Sequence, residues 1–133
     1  MILNFDLSLL CKLKGFDKPT IHYYYCEKDG MGHSNTPTRT PAFTKNWNLM
    51  ETRVSAPTYD EVIDWLSEFN IDLYSFRVRT IENDTPWIIK INDLRLGFKD
   101  IYINHGLLDE PINHWKDKYL GLDKGIEYCL III

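Results

Sequence analysis

The chain has 133 residues, of which 44% are hydrophobic and 14% aromatic, and this composition excludes a disordered chain. The formal net charge of −4 weighs against a general nucleic-acid binder, although a local basic patch is compatible with it. Residues 1–57 carry seven Lys/Arg and five Asp/Glu, a net charge of +2, whereas residues 58–133 carry eight and fourteen, a net charge of −6.

The cysteine pattern and the first residues of the chain predict the cellular compartment of the protein. Cys11, Cys26 and Cys129 are odd in number, widely spaced and without a CxxC motif, which predicts reduced and mostly buried thiols. We expect no secretory signal, because no cationic segment followed by an apolar run opens the chain. No apolar run approaches the length of a membrane span, so we predict a cytoplasmic protein.

A short helix is predicted near the start of the chain, over residues 6–14. Asp6, or alternatively Asn4, can cap its first turn, and Gly15 stands where a left-handed residue would end it. We expect Phe16 to fold back onto this helix.

A tyrosine-rich strand is predicted over residues 20–26, because aromatic and β-branched residues favour extended backbone. Its side chains alternate between two faces. Ile21, Tyr23 and Tyr25 point one way, and His22, Tyr24 and Cys26 point the other. The preferred interpretation is that one set fills the core and the other covers the open face of a sheet.

Residues 27–51 are predicted to form a long irregular loop. Pro37 and Pro41 exclude a helix and favour an extended, polyproline-like backbone. Four apolar residues are expected to anchor its far end: Phe43, Trp47, Leu49 and Met50. A loop of this length inside a compact domain is either functional or mobile.

The clearest helix signal begins at Thr58. Thr58 and Glu61 form a capping box. Apolar residues then recur at helical spacing: Val62, Trp65, Leu66 and Phe69. A short strand over residues 52–55 leads into this helix. We expect Trp65 to be buried against a sheet and Asn70 to act as a cap after the helix.

Two or three strands are predicted in the second half of the chain. Strands over residues 71–79 and 87–91 flank a turn, and the pair Asn92-Asp93 signals a second turn. A further strand over residues 95–103 is interrupted near Gly97.

A polar loop over residues 104–116 is predicted to lead into a closing helix over roughly 117–131. Gly121 and Gly125 weaken this helix by about 1 kcal/mol each relative to alanine. We expect them to permit close packing. The predicted order α-β-β-α-β-β-(β)-α describes a single α+β domain over residues 1–133, with one antiparallel sheet of four to five strands covered by helices.

Three stretches carry a resemblance, at residues 9–17, 51–66 and 122–130. They contain the Gly15-Phe16 pair, an Ala-Pro-Thr cap ending at Thr58, and Trp65. Together they resemble a family of small uncharacterised proteins encoded by bacteriophages and mobile elements of gut bacteria. The resemblance implies the same arrangement of helices and a phage or prophage origin. It implies no catalytic residues.

Histidines and carboxylates crowd the end of the polar loop. They are His105, Asp109, Glu110, His114 and Asp117. Such residues can bind zinc or a harder divalent ion, but their spacing matches no established ligand pattern. A solvated acidic loop is the preferred interpretation, and we predict a metal-free protein without a cofactor or hydrolase activity. Cys26 and His33 could form a nucleophile pair only with proximity and an orienting group.

Two hypotheses place a binding site in the first half of the chain. Tyr23 and Tyr25 can offer stacking faces to single-stranded nucleic acid. Basic residues nearby in sequence could contact phosphates: Lys28, Arg39, Lys45 and Arg53. The other hypothesis is a recognition loop over residues 27–46, in which Arg39 lies between Thr38 and Thr40. On that hypothesis, replacing Arg39 weakens partner binding without changing the melting temperature.

Three classes of function follow from the sequence. The preferred one is a non-enzymatic accessory protein that binds another protein, with a host factor as a candidate. The alternatives are a nucleic-acid-binding protein that uses the tyrosine strand, and a metal protein or enzyme that uses residues 105–117. The apolar residues 129–133 either pack onto the sheet or form a self-association surface. No membrane contact is expected.

Overall fold

The computed structural model describes residues 1–29, 31–40, 43–77, 87–97, 100–103, 114–115 and 117–133, with only the backbone of His114. Helices and antiparallel sheets confirm the predicted α+β class. The strands form two sheets instead of the single sheet that we predicted. The chain divides into two compact units, Met1–Trp65 and Leu66–Ile133. One domain over residues 1–133 stays a prediction.

The first unit is built around a three-stranded sheet. Its elements are α1 (Phe5–Leu13), β1 (His22–Tyr25), β2 (Thr38–Arg39), a 3-10 turn (Trp47–Leu49), β3 (Arg53–Ala56) and α2 (Tyr59–Ser67), whose end passes into the second unit. β1 lies between β2 and β3 and is antiparallel to both. The prediction of an irregular loop is therefore wrong at β2, because pairing with β1 decides the conformation of this short segment.

The first helix begins and ends at capping residues. Asn4, rather than Asp6, accepts a hydrogen bond from the backbone N–H of Leu7 at 2.9 Å. At the other end, Gly15 has a φ of 94°. The backbone N–H groups of Gly15 and Phe16 donate to carbonyls of the last helical turn, which forms a Schellman motif. Phe16 is buried, as the sequence predicted.

The two faces of the first sheet have different surroundings, and the predicted alternation of β1 is confirmed. The inner face forms a buried cluster with α1: Tyr24, Val54 and Ala56, with Ile2, Phe5, Leu9 and Cys26 packed against them. Tyr23 and Tyr25 lie on the opposite, outer face. Arg53 pairs with Tyr25 across the strands and therefore shares that outer face.

Two side chains bind backbone groups of the edge strand β3 and of the segment before it. The Asn48 side chain accepts from the N–H of Ser55 at 2.8 Å. The Lys12 ammonium donates to the carbonyls of Met50 and Arg53 at 2.9 and 2.8 Å. These bonds occupy backbone groups through which an edge strand otherwise pairs with another chain.

The second helix confirms its predicted start. The N–H of Thr58 donates to Glu61 Oε1 at 3.0 Å, and the N–H of Glu61 donates to Thr58 Oγ1 at 3.2 Å. Three residues of the predicted stripe are buried: Val62, Trp65 and Leu66. The ring of Trp65 meets Phe16 edge-on, with centroids 5.2 Å apart. Phe69 lies beyond the helix and is 38% exposed.

The second unit is built around the other sheet. Its elements are β4 (Ile71–Arg77), β5 (Trp87–Asp93), a 3-10 turn (Leu94–Leu96), β6 (Asp100–Tyr102), β7 (His114–Trp115) and α3 (Lys118–Ile132). β5 pairs with β4 on one side, and β6 and β7 pair with separate stretches of β5. Asn70, with a φ of 62°, takes the left-handed conformation typical of a residue that ends a helix.

Three predictions for this unit are wrong at the level of single elements. Asn92 and Asp93 continue β5 instead of forming a turn, because they pair with Asp72 and Ile71 of β4. β7 falls within the stretch over residues 104–116 that we predicted as a loop. The predicted strand over 95–103 is divided between the 3-10 turn and β6. Long-range pairing, which local sequence does not show, decides each case.

An ion pair ties β5 to the end of α3. Asp93 is 2% exposed, and its carboxylate accepts from Arg95 Nε at 2.9 Å and Nη2 at 2.8 Å. Nη2 of Arg95 also donates to the carbonyl of Ile132 at 3.2 Å. The hydrogen bonds from Arg95 lower the pKa of Asp93 below its ordinary value, and outweigh the effect of burial.

This ion pair predicts a pH dependence of stability. A carboxyl group with a lowered pKa in the folded state stabilises the protein above its unfolded pKa, and this contribution is lost as the pH falls through the folded pKa. Asp93→Asn is expected to lower the free energy of unfolding by about 1–2 kcal/mol at neutral pH, since Arg95 is partly exposed. Urea denaturation at several pH values measures this, and the difference from wild type should shrink in acid below the ordinary pKa of 3.8. An equal difference at pH 7 and in acid would contradict it.

Candidate binding surface

Four aromatic rings follow one another across the outer face of the first sheet. We call Tyr25, Tyr23, Trp47 and Phe43 the aromatic row. The centroids of Tyr25 and Tyr23 lie 5.1 Å apart, those of Tyr23 and Trp47 4.4 Å, and those of Trp47 and Phe43 6.0 Å. The row therefore joins β1 to the segment around the 3-10 turn at Trp47.

Two cations lie over rings of the aromatic row, one at the Tyr25 end and one at Trp47. Arg53 Cζ is 4.0 Å from the ring centroid of Tyr25 and 5.3 Å from that of Tyr23. Lys45 Nζ is 5.6 Å from the ring centroid of Trp47, which is next to Phe43. These are cation–π distances, each worth about 0.5–1 kcal/mol at an exposed site.

The ends of the row are exposed and its middle is buried. Tyr25 and Phe43 are 43% and 59% exposed, whereas Tyr23 and Trp47 are each 7% exposed. The prediction that Phe43 anchors the loop is wrong, because its side chain is exposed. Trp47 is buried and anchors the loop. Leu49 and Met50 are also exposed, contrary to the same prediction.

Hydrogen bonds hold the row in position. Trp47 Nε1 donates to the carbonyl of Thr20 at 3.0 Å, and the hydroxyl groups of Tyr23 and Tyr25 are 2.9 Å apart. Arg53 Nη1 donates to the carbonyl and the hydroxyl oxygen of Thr52 at 3.2 and 3.0 Å. The hydrogen bond to Tyr25, and secondly burial, raise the pKa of Tyr23, so its hydroxyl stays neutral at physiological pH.

The chain matches no family model, no curated protein and no solved structure. The phage or mobile-element origin implied by the resemblance therefore stays a prediction. None of the helices in the described part of the chain combines the length and apolar character needed to cross a bilayer.

The predicted binding residues are divided between the two faces of the first sheet. Thr38 pairs with Tyr23 and shares the outer face. Arg39 pairs with His22 and lies on the opposite face. Burial and, secondly, the charge of Arg39 lower the pKa of His22, whereas the charge of Glu61 acts in the raising direction. Arg39 therefore does not belong to the aromatic row.

Hydrogen bonds of Thr40 stabilise the backbone at Phe43, one end of the aromatic row. Its N–H donates to the carbonyl of Ile21 at 3.0 Å. Its hydroxyl lies 2.8 Å from the carbonyl oxygens of both Ile21 and Phe43. Thr40 thus fixes the backbone of Phe43 against the strand that carries the two tyrosines.

Cys26 and His33 are backbone partners but do not form a nucleophile pair. The Cys26 thiol donates to the carbonyl of Glu51 at 3.4 Å. The ring of His33 stacks on Phe5 at 3.7 Å with an interplanar angle of 6°, and its Nδ1 lies 2.8 Å from the carbonyl of Ser34. Both side chains are thus directed to other groups, whereas a nucleophile and its base must face each other.

Among the candidate metal ligands of the polar loop, the structure describes the side chain of Asp117. Asp117 caps α3, since its Oδ1 accepts from the N–H groups of Tyr119 and Leu120. His105, Asp109 and the side chain of His114 lie outside the described residues. Over the ranges that the structure describes, no three His, Cys, Asp or Glu side chains are grouped as metal ligands.

The apolar end of the chain lines a groove in the second unit. Ile131 is exposed and forms one wall together with residues of β6 and α3: Ile101, Tyr102, Ile103, Lys124, Glu127 and Tyr128. The groove has a volume of about 350 Å³. Self-association through this end stays a prediction.

Most residues of this surface are predicted from the sequence as functional or anchoring residues, but the sequence does not predict that they lie together. The sequence groups Arg53 and Lys45 with Arg39 because they are near in sequence, and it predicts Trp47 and Phe43 as anchors of the loop. The cross-strand register brings the cation to the ring, since Arg53 lies opposite Tyr25. That register is set by tertiary pairing and is not readable from one strand.

Proposed function

We propose that the protein is a non-enzymatic binding protein whose contact surface is the aromatic row with Arg53 and Lys45. The observation that carries this proposal is the exposed ring of Tyr25 with Arg53 stacked 4.0 Å from its centroid. At the other end of the row, Lys45 lies over the buried ring of Trp47, which is next to the exposed Phe43. Tyrosine, tryptophan and arginine are the residues that contribute most binding energy at macromolecular contacts.

The surface is arranged before a partner arrives. Trp47 is held by Thr20, and Arg53 is held by Thr52 and by two tyrosine rings. Side chains that are already ordered lose little conformational entropy on association, so more of the contact energy appears as affinity. This supports a binding role for the outer face of the sheet.

The wider role is part of the same proposal. An accessory protein of a phage or mobile element that acts in the bacterial cytoplasm by binding a host factor agrees with the sequence resemblance. The sequence offers two classes of partner for this surface, a protein and a single-stranded nucleic acid. The hypothesis centred on Arg39 is replaced by one centred on Arg53, because Arg39 lies on the other face.

Affinity capture tests this function. The immobilised protein is incubated with bacterial lysate, and retained protein and nucleic acid are both quantified. Tyr25→Ala combined with Arg53→Gln is expected to lose at least 80% of the specifically retained material, a loss of about 1 kcal/mol or more of binding energy. Arg39→Gln is the matched control, since it removes the same charge from the opposite face and should retain the partner.

Two outcomes would contradict the proposal. Equal recovery by wild type and by the double variant would show that the row is not the contact surface. If Arg39→Gln loses the retained material and the double variant does not, the binding site is the loop over residues 27–46 and not the aromatic row. Thermal melts of every variant establish that the changes act on binding and not on folding.

A further inference from the structure

We infer that the ligand of the aromatic row is single-stranded nucleic acid, an inference that rests on the proposed function of this surface. Three properties of the row support this ligand: exposed rings, a guanidinium group close to a ring, and the placement of charge. Each matches a different part of a nucleotide.

The exposed rings match unpaired bases. Tyr25 and Phe43 are separated by two buried rings, so they form two stacking positions and not one continuous apolar patch. Stacking of a base on an aromatic side chain contributes about 1–3 kcal/mol and tolerates any base. In a duplex the base faces are already stacked, so this surface should favour single strands.

Arg53 adds a third planar group. Its guanidinium carbon lies 4.0 Å from the Tyr25 ring centroid, a separation that allows the plane to stack on the ring. Bases stack on arginine planes as well as on aromatic rings. Nη1 is fixed by Thr52, so the group is held in place while its positive charge remains available to a phosphate.

Each of the two positive charges lies next to an aromatic ring. Arg53 accompanies Tyr25, and Lys45 lies over Trp47 beside Phe43. A strand of nucleic acid repeats a flat base and a negative phosphate in every unit, so two ring-and-cation pairs are complementary to it. A protein hot spot instead places its largest contacts together at the centre of the interface. Here the central rings, Tyr23 and Trp47, are buried.

Fluorescence anisotropy with labelled oligonucleotides tests the inference. The probes are single-stranded DNA and RNA of about 15 nucleotides and the corresponding DNA duplex, in about 50 mM salt. Wild-type protein should bind a single strand more tightly than the duplex. Phe43→Ala, at an exposed ring, should weaken that binding about 5- to 150-fold, and Tyr25→Ala serves as a second ring variant.

Charge variants give an independent measurement. Because two cations contact phosphates, the logarithm of the association constant should fall with the logarithm of salt concentration with a slope of about −1.4. Lys45→Gln should reduce this slope to about −0.7. Arg53→Gln should weaken binding, whereas Arg39→Gln, which removes one charge from the opposite face, should bind nearly as wild type does.

Several results overturn the inference. They are absence of single-strand binding at any salt concentration, equal affinity for single strand and duplex, and equal losses with Arg39→Gln and Arg53→Gln. If no oligonucleotide binds but a lysate protein is retained by wild type and lost with Arg53→Gln, nucleic acid is the wrong class of ligand. The proposed binding surface then stands. If neither is retained, both proposals fail.

Discussion

Trp65→Ala is expected to lower the free energy of unfolding by about 3–5 kcal/mol, the usual cost of deleting a large buried aromatic side chain. Trp65 is 3% exposed and its ring packs edge-on against Phe16. Phe16 in turn is placed by the Schellman motif that ends α1. Removing the indole leaves a cavity between α2 and this motif, and the loss is a large fraction of typical domain stability, about 5–15 kcal/mol.

Urea denaturation followed by far-ultraviolet circular dichroism measures this change. Phe69→Ala is a suitable control, because Phe69 belongs to the same sequence stripe but is 38% exposed, so its truncation should cost clearly less. A Trp65→Ala melting temperature within a few degrees of wild type would show that the side chain does not contribute to the core as described.

Gly121→Ala is expected to destabilise the second unit, although alanine favours a helix by about 1 kcal/mol over glycine. A Cβ atom at this position would lie 2.7 Å from Cγ1 of Ile89 and 2.8 Å from Cγ of Trp115. The indole is held by a hydrogen bond from Nε1 to the carbonyl of Ile103 at 2.9 Å. Because the ring cannot give way easily, overpacking should cost towards the upper end of about 1–3 kcal/mol.

Gly125→Ala provides the comparison on the same helix. Its Cβ would lie 2.9 Å from Cδ1 of Leu73 and 3.0 Å from Cγ2 of Ile89. The end of a leucine side chain moves more easily than an indole, so the loss should be smaller than at Gly121. Thermal denaturation of both variants ranks them, and a Gly121→Ala protein as stable as wild type would contradict this account of α3 packing.

The candidate surface was only partly predictable. Tyr25 and Arg53 were both named from the sequence, but for different reasons, and nothing local indicated that they face each other. Their contact depends on the register of β1 against β3, in which Tyr25 lies opposite Arg53. The sequence favours Arg39 because it is an arginine, a residue enriched at hot spots, at the centre of a segment held by two prolines. The register of β2 nevertheless turns it to the other face.

Local sequence by itself determined the helix ends and the alternation of β1. Asn4, Gly15 and the pair Thr58 and Glu61 act through hydrogen bonds that span only a few residues, so their effect can be read from the sequence. The alternation of side chains along β1 likewise follows from extended backbone.

Only the tertiary structure decided how the strands are shared between sheets and where the short strands lie. β2 and β7 contain two residues each and carry no periodic pattern of their own. They are strands because β1 and β5 supply backbone partners from distant parts of the chain. The aromatic row has the same origin, since Trp47 reaches Tyr23 only after the chain has returned to the sheet. Contacts between residues far apart in sequence stabilise these features, and such contacts leave no local signal.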